Sequence, residues 1–180
     1  MKMPLIPGLA ALLLCTAPAT AALPVGATAP TFSTQASLAG KEMPFVLADA
    51  LTKGPVVLYF YPAAFTKGCT IEAHDFAEAT DRFKALGATV IGVSSDKIDV
   101  LDRFSTADCQ SKFALAADPE LRVAKSYDAV LAKMLGYADR TSYVITPDGK
   151  ILYSYSAMDP DKHVENTMAA LEKWRAGHKG

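Results

Sequence analysis

YFYPAAFTKGCTIEAHDF, residues 59–76, switches from strand to helix around a single cysteine. The apolar run Val56-Val57-Leu58-Tyr59-Phe60-Tyr61 reads as a buried strand, and Pro62 ends it. A short loop with Thr66, Lys67 and Gly68 leads to Cys69. From Thr70 the pattern is helical, with Ile71, Ala73, Phe76 and Ala77 falling near one face. Cys69 is thereby delivered to the first turn of a helix at the end of a buried strand. Unpaired backbone N–H groups and the helix dipole there favour negative charge on sulfur.

Outward from this stretch, the helix continues through Ala79, Thr80 and Phe83 to Leu86, where Gly87 stops it. Thr89–Ser94 is a second buried strand, and Ile98–Thr106 a helix with Val100, Leu101 and Phe104 inward. Phe113–Ala116 is a short strand. In Asp118-Pro119-Glu120 the spacing predicts a helix start, with Asp118 as cap and Pro119 first in the helix, running to Tyr127. Leu131–Asp139 is left unassigned. Arg140 precedes the strand Thr141–Ile145, and the turn Pro147-Asp148-Gly149-Lys150 joins it to Ile151–Tyr155. A last helix over Lys162–Ala176 sets Val164, Met168, Leu171 and Trp174 close to one face. On the amino-terminal side, a short strand entered through Ala29-Pro30-Thr31-Phe32, a hairpin turn at Gly40-Lys41-Glu42, the strand Phe45–Leu47 and a short helix over Ala48–Lys53 precede the Gly54-Pro55 break. The order is β-α-β-α-β-α-β-β-α behind a β extension. It predicts an α/β fold with a mixed central sheet flanked by helices on both faces, resembling the thioredoxin-like fold.

Length and composition bound the function. A chain of 180 residues with a formal charge of −1 suits one domain with its own core and offers no basic surplus for nucleic acid. Three cysteines and three histidines, with no CxxC and no HxxxH, argue against structural zinc and against a dithiol of neighbouring cysteines. Residues 1–21 are expected to be a signal peptide: Lys2 supplies the positive start, Leu9–Cys15 the apolar core, and Ala19-Thr20-Ala21 the small-x-small site. The apolar core is too short to span a bilayer. Bulky Leu14 before Cys15 argues against lipoprotein processing. The expected mature domain is 22–180, periplasmic or secreted. Only Cys69 and Cys109 remain in it, in a compartment where disulfides persist.

A cysteine nucleophile can attack an acyl carbon, a disulfide or a peroxide oxygen. Acyl chemistry wants a histidine base. His74 lies well round the helix from Cys69 and reads as solvated, while His163 and His178 show no partner pattern. Pro62 ends the strand without an N–H to satisfy and can shield the loop from water. Thr66 can cap the helix or reach a ligand over the sulfur. Pro62-Ala63-Ala64-Phe65-Thr66-Lys67-Gly68-Cys69 matches the PxxxTxxC signature, and with Thr70-Ile71-Glu72-Ala73 the chain resembles the bacterioferritin-comigratory (PrxQ-like) branch of the peroxiredoxins. Arg140 ahead of Thr141–Ile145 is similar to the arginine that completes their site.

The resemblance implies a thiol-dependent peroxidase reducing hydrogen peroxide or organic hydroperoxides, with no metal, haem or flavin. Cys69 would be the peroxidatic cysteine, Thr66 and the backbone near Gly68 would hold the peroxide, and Pro62 would limit water. Arg140 would stabilise the thiolate and the departing oxygen, and Glu72 would either orient Arg140 or serve only as a helix-face carboxylate. Many PrxQ-like proteins carry a resolving cysteine five residues after the first, where this chain has His74. Cys109 is the resolver expected here, against an outside thiol, and a thioredoxin-like or other thiol reductant completes the cycle. The alternative is an exported thiol–disulfide carrier of the same fold without peroxidase activity. The oligomeric state stays open.

Overall fold

The computed structural model describes residues 22–131 and 136–178. The expected signal peptide, 1–21, with Cys15, lies outside them, as do residues 132–135 of the segment left open above. The elements are β1 (Ser33–Leu38), β2 (Lys41–Val46), α1 (Leu47–Leu51), β3 (Val56–Phe60), α2 (Lys67–Ala85), β4 (Thr89–Ser94), α3 (Ile98–Ala107), β5 (Ala114–Ala117), α4 (Arg122–Ser126), β6 (Thr141–Ile145), β7 (Ile151–Ser156) and α5 (His163–Gly177). Among the described residues one sheet forms, in the order β2-β1-β5-β4-β3-β6-β7.

β3 is buried along its whole length because both faces of the sheet are covered there. Its side chains alternate between two cores, as strand pleating requires. Val56, Leu58 and Phe60 join the layer under α1 and α4, with Tyr127 and Tyr143. Val57 and Tyr59 join the layer under α2, α3 and α5, with Phe76, Phe83, Leu101, Phe104, Met168 and Leu171. β3 runs parallel to β4 and antiparallel to β6, and these two pairings set the site. The first aims the chain after Phe60 into α2. The second places Thr141 opposite Phe60, so Arg140 arrives beside the start of that helix. The close fit below α2 depends on Gly92, where a β-carbon would lie 2.7 Å from the Tyr59 ring and 2.8 Å from Leu115.

The predicted fold and element order hold, and the departures are local. The amino-terminal turn sits at Ala39-Gly40, where both φ angles are positive, because Leu38 already pairs with Lys41. Pro44, without an N–H, is tolerated because β2 is an edge strand. Asp118 caps α4, but from further away than predicted. Pro119 and Glu120 form a turn, Leu121 is left-handed (φ 55°), and the helix begins at Arg122. Asp118 reaches across this turn to accept the backbone N–H groups of Arg122 and Ala124, each at 2.8 Å. Three helix faces are turned from their expected positions. Ile71 is exposed, Val100 half-buried, and the buried stripe of α5 is His163, Thr167, Met168 and Leu171 rather than one centred on Val164 and Trp174.

Candidate active site

The loop after Tyr61 is held by backbone and carboxylate contacts. Tyr61 N–H donates to Val93 O at 3.1 Å, and Ala64 N–H donates to Oδ2 of Asp96 at 2.7 Å. The Ser94 hydroxyl donates to the same carboxylate oxygen. Asp96, beyond the end of β4, therefore ties the loop to the neighbouring strand. Phe65 takes a left-handed conformation (φ 61°), which turns the chain from the loop into α2. Its half-exposed ring meets Phe104 of α3 edge-on at 5.0 Å. Thr66 is the residue before the first helical position, and its carbonyl accepts the first intrahelical bond, from Thr70 at 2.9 Å. Its hydroxyl does not cap the helix. It turns back to Ala63 O at 2.9 Å and is exposed to solvent. Pro62 is half-buried at the root of the loop.

Cys69 is buried in the first turn of α2. Arg140, 3% exposed, spends its guanidinium on three partners. Nε donates to Met158 O at 3.0 Å, Nη2 to Cys69 Sγ at 3.4 Å, and Nη1 to Oε2 of Glu72. Glu72 is three residues beyond Cys69, one turn on, so both side chains face the same guanidinium. Burial works against charge on Arg140, and negative charge at Glu72 and Cys69 more than offsets it. Glu72 is pulled both ways: burial raises its carboxyl, Arg140 lowers it, and burial wins, lifting it to about 8. Guanidinium remains charged in either case.

Behind Glu72 lies a residue that sequence reasoning passed over. His163, at the first position of α5, is fully buried. Its Nδ1 meets the Ser142 hydroxyl at 2.8 Å and lies 3.6 Å from Oε1 of Glu72, while Nε2 meets Ala157 O at 2.9 Å. Only its helical phase with Thr167 and Leu171, four and eight residues on, hinted that it points inward.

Cys109 follows α3 directly and is fully buried, and burial with help from Asp108 pushes its thiol strongly upward. Cys69 and Cys109 belong to the same apolar layer, and both are free thiols. His74 is solvent-exposed as expected, 3.4 Å from the Asp108 carboxylate. His178 stacks on Trp174. Among the described residues, no three His, Cys, Asp or Glu side chains gather as metal ligands, and no helix is long and apolar enough to cross a membrane.

A thioredoxin-like fold that sets a buried helix-start cysteine against a buried arginine defines the thiol peroxidases built on this scaffold. The AhpC/TSA family profile matches residues 25–154, and the chain belongs to that family, the peroxiredoxins. It is similar to YkuU of Bacillus subtilis, 34% identical over 162 residues that span 85% of this chain and 89% of that one. The crystal structure of peroxidoxin BcpB from Mycobacterium tuberculosis superposes with a TM-score of 0.75 at 31% identity, covering 83% of this chain and 96% of that one. The PrxQ of Xylella fastidiosa, in a mutant form, superposes with a TM-score of 0.75 at 26% identity, covering 84% and 97%.

Proposed function

We propose that Cys69 is the peroxidatic cysteine of this thiol-dependent peroxidase. The Cys69 thiolate attacks the distal oxygen of a hydroperoxide, the O–O bond breaks, and sulfur becomes a sulfenic acid. The departing hydroxide or alkoxide takes a proton and leaves as water or alcohol. The observation that carries this reading is the 3.4 Å contact from Nη2 of Arg140 to Cys69 Sγ, made by two side chains shut away from bulk water. There a fixed positive charge stabilises both the attacking sulfur and the charge developing on the departing oxygen. Thr66, exposed three residues before Cys69, supplies a hydroxyl that can leave Ala63 O to meet the peroxide, and Pro62 keeps the loop stiff and its base dry.

In the second half-reaction the Cys109 thiol attacks the sulfenic sulfur, water departs, and a Cys69–Cys109 disulfide forms. A dithiol reductant of thioredoxin-like type then restores both thiols. Disulfide geometry needs the two Cα atoms within about 7 Å. Cys69 in a helical turn and Cys109 behind α3 meet that need by unwinding the start of α2 and freeing the end of α3. The sequence of residues 1–21 supports export to a periplasm, where such a disulfide persists until it is reduced.

One equivalent of hydrogen peroxide is expected to convert the protein to an intramolecular disulfide. The Cys109→Ser variant should instead hold a sulfenate, detectable by dimedone labelling and mass spectrometry. An intramolecular disulfide in that variant, or unchanged turnover, rejects Cys109 as resolver. Stopped-flow oxidation of Cys69 no faster than that of a free thiol rejects the peroxidase role and returns the thiol–disulfide carrier.

A further inference from the structure

Glu72 uses one oxygen on Arg140. The other, Oε1, is buried with no hydrogen-bond partner and lies 3.6 Å from Nδ1 of His163, whose side chain is equally buried. The tautomer of His163 follows from its partners. Ala157 O can only accept, so Nε2 carries hydrogen across the 2.9 Å contact. In a neutral ring Nδ1 is then an acceptor, and the Ser142 hydroxyl donates to it at 2.8 Å. An anionic Glu72 would point lone pairs at that lone pair, with a charged oxygen unsatisfied in a dry interior. Both features are costly. A single proton removes the conflict. On Oε1 it faces the Nδ1 lone pair, which the Ser142 hydroxyl yields by rotating. On Nδ1 it faces Oε1 and Ser142 Oγ, because the hydroxyl can reverse its role.

We infer that the Glu72–His163 pair carries a single proton, on Oε1 or on Nδ1, and that His163 is a positioning residue acting on Cys69 through Glu72 and Arg140. The inference deepens the peroxidase reading and rests on it for its consequence. With Cys69 as thiolate and Arg140 charged, an ionised Glu72 and neutral His163 would make the cluster net negative and divide the guanidinium between two anions. The shared proton makes the cluster neutral and leaves the charge of Arg140 to the sulfur.

The other groups around the pair act in opposite senses. Arg140 works to expel the proton from both partners, while Asp75 on α2 retains it on Glu72 and Asp159, ahead of α5, retains it on His163. The Tyr155 ring of β7 meets the imidazole at 4.8 Å and helps to keep the pair dry. Burial raises Glu72 to about 8 and lowers His163 to about 4, which puts the proton on the carboxyl near neutrality.

Nuclear magnetic resonance of the reduced full chain, labelled at Glu carboxyl carbon and His ring nitrogen, tests this directly. At neutral pH the Glu72 carbon should have the shift of a neutral acid, or the His163 ring that of an imidazolium. The pair should lose its proton in one step near pH 8 seen at both residues. A Glu72 carboxylate already ionised at mildly acidic pH beside a neutral, unresponsive His163 overturns the inference. In stopped-flow, His163→Leu should slow Cys69 oxidation about tenfold and displace the alkaline limb of its pH profile, and His163→Gln, which returns an acceptor, should recover part of both. A folded His163→Leu protein with an unchanged profile rejects the positioning role. If that variant does not fold, the titration of the unsubstituted chain still decides. A chain that holds the shared proton but does not reduce peroxide refutes the peroxidase reading and leaves the shared proton standing.

Discussion

A β-carbon on Gly68 would come within 3.0 Å of Nη2 of Arg140, the atom that donates to Cys69. In sequence Gly68 is one more small residue in a loop. In the fold it leaves the room through which a guanidinium approaches the sulfur. Gly68→Ala sets two effects against each other. Alanine is the better helix former, worth about 0.5–1 kcal/mol, while its methyl displaces Arg140. The variant is expected to be as stable as the parent or more so, yet slower by about tenfold in Cys69 oxidation, equivalent to ~1.4 kcal/mol in the barrier. Paired urea unfolding and stopped-flow measurements check it, and unchanged oxidation would show that Arg140 accommodates the methyl. Cys69, Thr66 and Pro62 stand out in the chain through one short motif, and Arg140 through its place before a strand and the likeness to peroxiredoxins. Asp96 and His163 do not: their partners, Ala64 and Glu72, lie far away in sequence.

Helices and strands formed where their hydrophobic period placed them, because burial on one face leaves a mark every 2 or 3.6 residues. Details that depended on a neighbour did not. α4 illustrates the point, since Asp118 was read as its cap yet serves a helix that begins four residues later, across a left-handed Leu121. Asp118→Ala leaves two backbone N–H groups without their acceptor and is expected to cost about 1–2 kcal/mol in urea unfolding. The peroxide reactivity of Cys69 should not change, because α4 packs in the layer on the other side of the sheet. Slower oxidation in this variant would mean that the two layers are coupled. The rotated faces of α2, α3 and α5 have a similar origin. Ile71, Val100 and Trp174 are apolar, but the helices that carry them have no neighbour on that side to bury them fully.

Stability against pH is a property of the whole molecule to which the buried pair contributes a definite shape. Folding raises Glu72 from 4.5 to about 8 and lowers His163 from 6.5 to about 4. The sign follows from proton counts. Between pH 4.5 and 6.5 the unfolded chain carries one proton on these two groups, on histidine, and the folded pair also carries one, so they add no slope. Above 6.5 the unfolded histidine loses its proton while the folded pair keeps one, so their contribution falls as pH rises towards 8. Below 4.5 the unfolded chain binds a second proton and stability falls again, until His163 protonates in the fold near 4. Thermal melts are expected to lose stability between pH 6.5 and 8 by up to ~1.4 kcal/mol per pH unit, and Glu72→Gln should abolish that alkaline loss. An equal loss in the variant assigns it to other groups.

By itself the sequence determined the α/β order of elements, the strand-to-helix delivery of Cys69 and the likeness to peroxiredoxins, because periodicity and a short motif are local records of burial and chemistry. That Arg140 meets both Cys69 and Glu72, and that His163 lies behind them, was decided only in three dimensions. The antiparallel pairing of β3 with β6 brings Arg140 to the YFYPAAFTKGCTIEAHDF stretch, and the packing of α5 brings His163 behind Glu72. The motif supplies the sulfur, and long-range pairing supplies the guanidinium beside it and the imidazole behind Glu72. A buried contact across many residues leaves no periodic trace in the chain, so it is visible only once the sheet is formed.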